Sequence, residues 1–91
     1  MSQLENTMIH AARQELEVVK DFYVKRAQGV VTQENRDDFL LHLYSMLALL
    51  KFGNQDDTGM SAEGAQALRE IEQEHAAAFA ASMATTALQP K

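Results

Sequence analysis

The stretch from Phe39 to Phe52 decides the fold and reads FLLHLYSMLALLKF. Eleven of its fourteen residues are Phe, Leu, Tyr, Met or Ala, and the three polar ones are His42, Ser45 and Lys51. A helix that is covered on one side needs an apolar stripe only about 100° wide, whereas this segment is apolar nearly all round. A membrane span needs about 20 apolar residues, so the segment is too short for one. It predicts a central helix with an unusually large apolar surface.

Capping residues divide the chain into three predicted helices, at about 3–28, 33–52 and 62–86, with a frayed tail at 87–91. The first helix begins with a capping box, in which the Ser2 and Glu5 side chains each satisfy a free backbone N–H. Thr32 and Ser61 are good N-caps for the second and third helices. These signals predict where each helix begins.

Two glycines predict where helices end, and the absence of alternating apolar and polar residues argues against strands. Gly29 and Gly53 each follow a predicted helix and can adopt the positive φ that a C′ residue needs. β-Branched residues are few, and no alternating run predicts a strand. Ninety-one residues correspond to one small domain. We therefore predict a single all-α domain, 1–91, of three antiparallel helices.

The other two helices offer little apolar surface to cover the central one. Helix one carries a single stripe, formed by Ile9, Ala12, Leu16, Val19 and Tyr23. Helix three carries a thinner stripe of Leu68, Ile71, Phe79 and Met83 among many Ala residues. Each large apolar side chain left exposed forgoes about 1.5–3 kcal/mol. We therefore predict that a homodimer or a partner protein covers the rest, the alternative being a central helix wholly buried in a compact monomer.

The residues of the central helix are the candidates for the core and for partner binding. The primary candidates are Phe39, Leu40, Leu43, Tyr44, Met46, Leu47 and Leu50. Phe22 and Tyr23 of helix one are secondary candidates. Replacing Leu43 or Leu47 by Asp is expected to cost several kcal/mol, because each would bury an unpaired charge.

Two polar patterns resemble chemical sites. Glu72 and His75 form E-x-x-H, a motif of di-iron bundles, but such bundles need two copies and further carboxylates. Asp38, His42 and Ser45 share one helix face, but a straight helix provides no oxyanion hole. We interpret both as structural, with His42 as a buried or interfacial hydrogen-bonding group. No catalytic residue, metal site or cofactor is predicted.

Charge and composition narrow the classes of protein. Lys and Arg number 8 against 13 Asp and Glu, which gives a net charge of −5. Proteins that bind nucleic acids usually carry clustered basic residues, so direct nucleic-acid binding is not expected. The chain has no Cys and its first ten residues lack the pattern of a signal peptide. These features predict a cytoplasmic protein that does not enter a membrane.

Three classes of function remain open. The first is a regulatory protein that docks an apolar helical surface on another protein, as in helix-in-groove recognition. The second is a structural module that assembles with itself. The third, an enzyme or metal-binding bundle, is disfavoured because no polar groups converge on a pocket. A phage-encoded inhibitor or an immunity-type protein would have the same profile as the first class.

The small size, the acidity and the segment RDDFLLHLYSMLALLKFG, from Arg36 to Gly53, resemble the small bacterial quorum-sensing anti-activators of the QslA type. The resemblance covers most of the chain as a pattern of helices, without a motif that can be transferred residue by residue. It implies stoichiometric binding to a transcription regulator, which would then lose its ability to bind DNA.

Overall fold

The computed structural model describes residues 2–55 and 58–88 of the chain, which form three helices: α1 (Gln3–Ala27), α2 (Gln33–Gly53) and α3 (Ala62–Leu88). No strand occurs in these two ranges. The all-α, three-helix prediction is confirmed. Each helix begins at the predicted residue, and α3 continues two residues further than expected. Of the predicted frayed tail, 89–91 lies outside the described residues.

Helix α1 lies between the other two and packs against both along its length. Glu5 contacts Ser61 near the beginnings of α1 and α3, and Arg26 contacts Ser82 near their ends. These two helices are therefore parallel, while α2 runs in the opposite direction. Contacts between α2 and α3 are far fewer than the contacts of either helix with α1. The large apolar surface of α2 therefore receives cover mainly from one side.

The predicted stripe of α1 forms the centre of the core, which has two parts. The first cluster contains buried residues of all three helices. Its members are Ile9, Ala12, Leu16, Met46, Leu50, Leu68 and Ile71. A second cluster, of Val19, Phe22 and Tyr23, lies towards the end of α1. Leu43 packs against both clusters and connects them.

The three predicted N-caps are present, and the Glu5 carboxylate has a further role beyond its own helix start. The Thr32 and Asn35 side chains form a complete capping box at the start of α2. Ser2 accepts a hydrogen bond from the Glu5 backbone N–H. The Glu5 carboxylate also accepts hydrogen bonds from the Ser61 hydroxyl and N–H, which lower the pKa of Glu5 and join the beginnings of α1 and α3. The Ser2 backbone contributes to lowering the pKa of Glu5 as well, as the predicted return bond requires.

The two glycines that were predicted to follow a helix end, Gly29 and Gly53, differ in backbone conformation and position. Gly29 has φ of 74°, as a C′ residue requires. Gly53 is the last residue of α2. The C-cap that follows it is Asn54, whose φ is −92°. The prediction for Gly53 is therefore wrong. Gly53 is instead a point of close contact, since a Cβ there would overlap the side chain of Leu68.

The second half of α3 is less buried than its predicted stripe suggests. Leu68 and Ile71 are fully buried, but Phe79 and Met83 are nearly half exposed. Most of the alanines between 76 and 81 are also exposed, which favours a role in helix propensity over close helix packing. Among the described residues, no helix combines the length and apolarity that crossing a membrane requires.

Candidate functional site

The side of α2 that points away from α1 carries a continuous apolar surface. We call it the outer face of α2, and it consists of Leu40, Leu41, Tyr44, Leu47 and Ala48. The exposed fractions are 44% for Leu40, 64% for Leu41, 66% for Tyr44 and 43% for Leu47. Single exposed apolar residues are ordinary, but contiguous patches mark interaction sites. The outer face is therefore the candidate functional site.

Local sequence explains why this face points outward. Met46 and Leu50 are buried against α1 and α3, and one turn of helix separates them. Tyr44 is two residues before Met46 and so lies about 200° away around the helix. The buried side of α2 therefore directs Tyr44 to solvent.

The structure divides the predicted partner-binding residues into three groups. Leu40, Tyr44 and Leu47 lie on the outer face. Phe39 and Leu43 are half-buried, and Phe39 stacks on Phe22 with ring centroids 4.1 Å apart. Four further candidates have core positions instead of surface ones, because α1, α2 and α3 cover them within one chain: Met46, Leu50, Phe22 and Tyr23.

Leu41 and Ala48 belong to the outer face, but the sequence analysis did not select them. Their positions three or four residues from Tyr44 are visible in the sequence. Because α2 is apolar nearly all round, this spacing alone does not reveal which side is exposed.

Both polar patterns take structural positions. His42 Nδ1 lies 2.6 Å from Oε2 of Glu15 on α1, so this half-buried pair joins the two helices. Asp38 lies 3.9 Å from His42 Nε2, which is beyond hydrogen-bond length, and Ser45 is exposed. His42 therefore is the hydrogen-bonding group that the sequence predicts, and it lies on the side of α2 opposite the outer face.

His75 of the E-x-x-H motif belongs to an aromatic cluster, in which its ring lies 5.9 Å from that of Tyr23 and 6.3 Å from that of Phe79 between centroids. Its Nε2 lies 2.9 Å from the hydroxyl of Tyr23, and burial lowers the pKa of His75 and raises that of Tyr23. Both side chains are therefore neutral near pH 7, and the hydrogen bond joins two uncharged groups. Glu72 accepts a hydrogen bond from Asn54 at 3.3 Å. Within 2–55 and 58–88, no group of three or more potential ligand side chains is arranged to hold a metal ion.

Arg26 lies at the end of this cluster, beside a cavity. Its guanidinium lies over the rings of Phe22 and Tyr23, at 5.9 and 5.3 Å from their centroids, and donates to the hydroxyl of Ser82 at 2.6 Å. The neighbouring cavity of about 330 Å³ is lined by Phe22, Arg26, Val31, Arg36, Phe39 and Leu40. This cavity opens beside Leu40 and so adjoins one edge of the outer face.

An ion pair between Lys20 of α1 and Glu74 of α3 joins these two helices at a distance from the candidate site. Lys20 Nζ lies 2.8 Å from Glu74 and 3.6 Å from Glu17. The hydrogen bond between Lys20 and Glu74 lowers the pKa of Glu74 and raises the pKa of Lys20. These partly exposed pairs contribute to orientation more than to stability.

Comparisons with protein-family models, with curated protein sequences and with solved structures find no match for this chain.

Proposed function

We propose that this protein acts by stoichiometric binding to other polypeptides through the outer face of α2. The observation that carries the proposal is the exposure of Leu40, Leu41, Tyr44 and Leu47 side by side on one helix. Covering the exposed part of each side chain is worth about 1 kcal/mol. A partner that covers all four therefore gains a driving force comparable to much of a small domain's net stability.

The proposal assigns the protein a binding role and no catalytic one. It is supported by the partners of the two chemically interesting histidines, since His42 pairs with Glu15 and His75 with Tyr23. Both contacts join helices of one chain. A nucleophile and its base would instead have to converge on a position that a substrate can reach.

A narrower form of the proposal follows from the resemblance in the sequence. In this form the partner is a cytoplasmic transcription regulator, and the protein is an anti-activator that prevents the regulator from binding DNA. The exposed apolar helix supports protein binding of this kind, because helical surfaces rich in Leu and aromatic residues are suited to docking in grooves. The net charge of −5 argues against direct competition for DNA by this chain.

The proposal is tested by capture from a cell lysate with a tagged chain and two matched variants. Leu41→Asp places a charge on the outer face, and Gln14→Asp places the same charge on an exposed position of α1. We expect the wild type and Gln14→Asp to retain a stoichiometric partner and Leu41→Asp to lose it. Circular dichroism verifies that all three remain helical. Equal capture by the two variants would contradict the proposal.

A further inference from the structure

We propose that the outer face of α2 pairs with the same face of a second copy of this chain, antiparallel and centred on Tyr44. This inference rests on the proposed function, because it names a polypeptide that fits the same surface. The argument depends on where the charged residues lie relative to Tyr44.

Two opposite charges lie at equal distances from Tyr44. Asp37 precedes it by seven residues and Lys51 follows it by seven. Seven residues are two helical turns with a drift of only about 20°, so both charges lie on the same side of α2 as Tyr44. Both residues are exposed. The outer face thus has an acidic end, an apolar middle and a basic end.

An antiparallel pair of such faces places opposite charges together at both ends. With the two Tyr44 side chains at the two-fold axis, Asp37 of each copy faces Lys51 of the other. The same alignment brings Leu40 near Leu47 of the second copy and Leu41 near Ala48 of the second copy. An interface with two-fold symmetry requires a surface that is complementary to itself, and this face meets that requirement.

A parallel arrangement lacks this complementarity. It would bring the two Asp37 carboxylates together at one end and the two Lys51 ammonium groups together at the other. It would also align the two helix dipoles, whereas an antiparallel pair opposes them. Charge therefore selects the antiparallel arrangement.

The charged groups are available for this pairing. Gln33 Nε2 donates to Oδ1 of Asp37 at 2.9 Å, which leaves the second carboxylate oxygen to face a partner. In the described ranges, Lys51 has no carboxylate within ion-pair distance. Pairing with a second copy would bring Asp37 of that copy to Lys51.

Charge reversal tests the register. Sedimentation at micromolar concentration should show a dimer for the wild type. Asp37→Lys or Lys51→Asp should each weaken dimerisation by about tenfold, because each replaces two attractions by two repulsions. The double variant Asp37→Lys/Lys51→Asp restores both attractions and should recover wild-type dimerisation. A monomeric wild type, or a double variant weaker than both single variants, would overturn the inference.

Chemical cross-linking tests the direction of the helices independently, since the chain has no natural Cys. A mixture of Asp37→Cys and Lys51→Cys chains treated with a short bismaleimide should give mixed dimers. Asp37→Cys alone should give few cross-linked dimers. Gln14→Cys, at an exposed position of α1, should give no cross-linked dimers. Efficient cross-linking of Asp37→Cys alone would indicate parallel helices and overturn the inference.

The two proposals fail in different ways. If the wild type is a monomer but Leu41→Asp still loses its captured partner, the self-pairing is wrong and the proposed function stands. If the predicted cross-links form but Leu41→Asp and Gln14→Asp capture equally, the self-pairing stands and binding of other proteins through this face is wrong.

Discussion

Gly53 lies on α2 where this helix meets α3, and the side chain of Leu68 occupies the space that a Cβ would take. Gly29, by contrast, has open space around the position of a Cβ but a φ of 74°. One glycine therefore permits close approach of two helices, and the other permits a left-handed turn. The sequence shows both residues after an apolar helix and does not separate these two roles.

Replacing Gly53 by Ala should destabilise the protein by about 1–3 kcal/mol, because the added methyl group overpacks against the buried Leu68. The better helix propensity of Ala, worth about 1 kcal/mol, offsets part of this cost. Urea unfolding measures the change. In a Leu68→Ala background the same substitution should be neutral or stabilising, and a stabilising effect in the wild type would contradict the close contact.

Protonation of His75 makes the stability of the fold depend on pH. Its pKa is lowered from the ordinary value of 6.5 by burial, so the folded protein resists protonation of this residue. The unfolded chain binds a proton at a pH where the folded chain does not. The stability that depends on neutral His75 is therefore complete above about pH 6.5 and decreases as the pH falls below this value.

We expect the free energy of unfolding to decrease between about pH 7 and pH 5, and we expect His75→Gln to remove part of this slope. Tyr23→Phe is the control, since burial and not the hydrogen bond lowers the pKa of His75. That variant should lose stability but keep the slope. Urea unfolding over a pH series measures both, and an unchanged slope in His75→Gln would exclude this role for His75.

Helix α2 has apolar residues in different environments on its opposite sides. Met46 and Leu50 belong to the core on one side, while Leu41 and Tyr44 are exposed on the other. Leu43 lies between these sides and packs against both core clusters. A helix that is apolar nearly all round can therefore build the core and still leave an apolar surface exposed to solvent.

Leu43→Asp and Leu47→Asp should have different consequences, although the sequence alone predicts a similar cost for both. Leu43→Asp should cost about 3–5 kcal/mol, because it places a charge between the two core clusters. Leu47 is 43% exposed, so Leu47→Asp should cost only about 1 kcal/mol at dilute concentration. Unfolding followed by circular dichroism, with sedimentation in parallel, distinguishes loss of the fold from loss of association. Equal costs would contradict the two-sided arrangement of α2.

The whole molecule is elongated, with dimensions of 48 × 23 × 16 Å. Helix α1 supplies most of the contacts, and α2 and α3 are each open on the side away from it. A chain of this size buries only about 60–65% of the surface of its unfolded state. Association is therefore the available route to further burial of apolar surface.

If the second copy covers the outer face, thermal stability must depend on protein concentration, because association binds only the folded state. We expect the melting temperature to rise by several degrees when the concentration increases about a hundredfold. Tyr44→Asp should abolish this dependence while keeping the helical content at low concentration. A concentration-independent melting temperature in the wild type would contradict dimerisation.

The fold was largely predictable because its signals are local. Thr32 and Ser61 mark helix starts through their own side chains, and Leu16 marks the buried stripe of α1 through its spacing from Ile9 and Val19. The candidate site was only partly predictable. Leu47 and Leu50 are the same residue type and three residues apart, yet Leu47 is 43% exposed and Leu50 is 3% exposed.

Local sequence was enough to predict three helices, the residue at which each begins and the excess of apolar surface on α2, since caps and periodicity act within a few residues. Contacts between the helices were needed to place this excess on one side of α2, to give Gly53 its packing role and to join Glu5 to Ser61. The physical reason is that these features depend on the rotation of each helix about its axis. That rotation is set by contacts between residues distant in the chain.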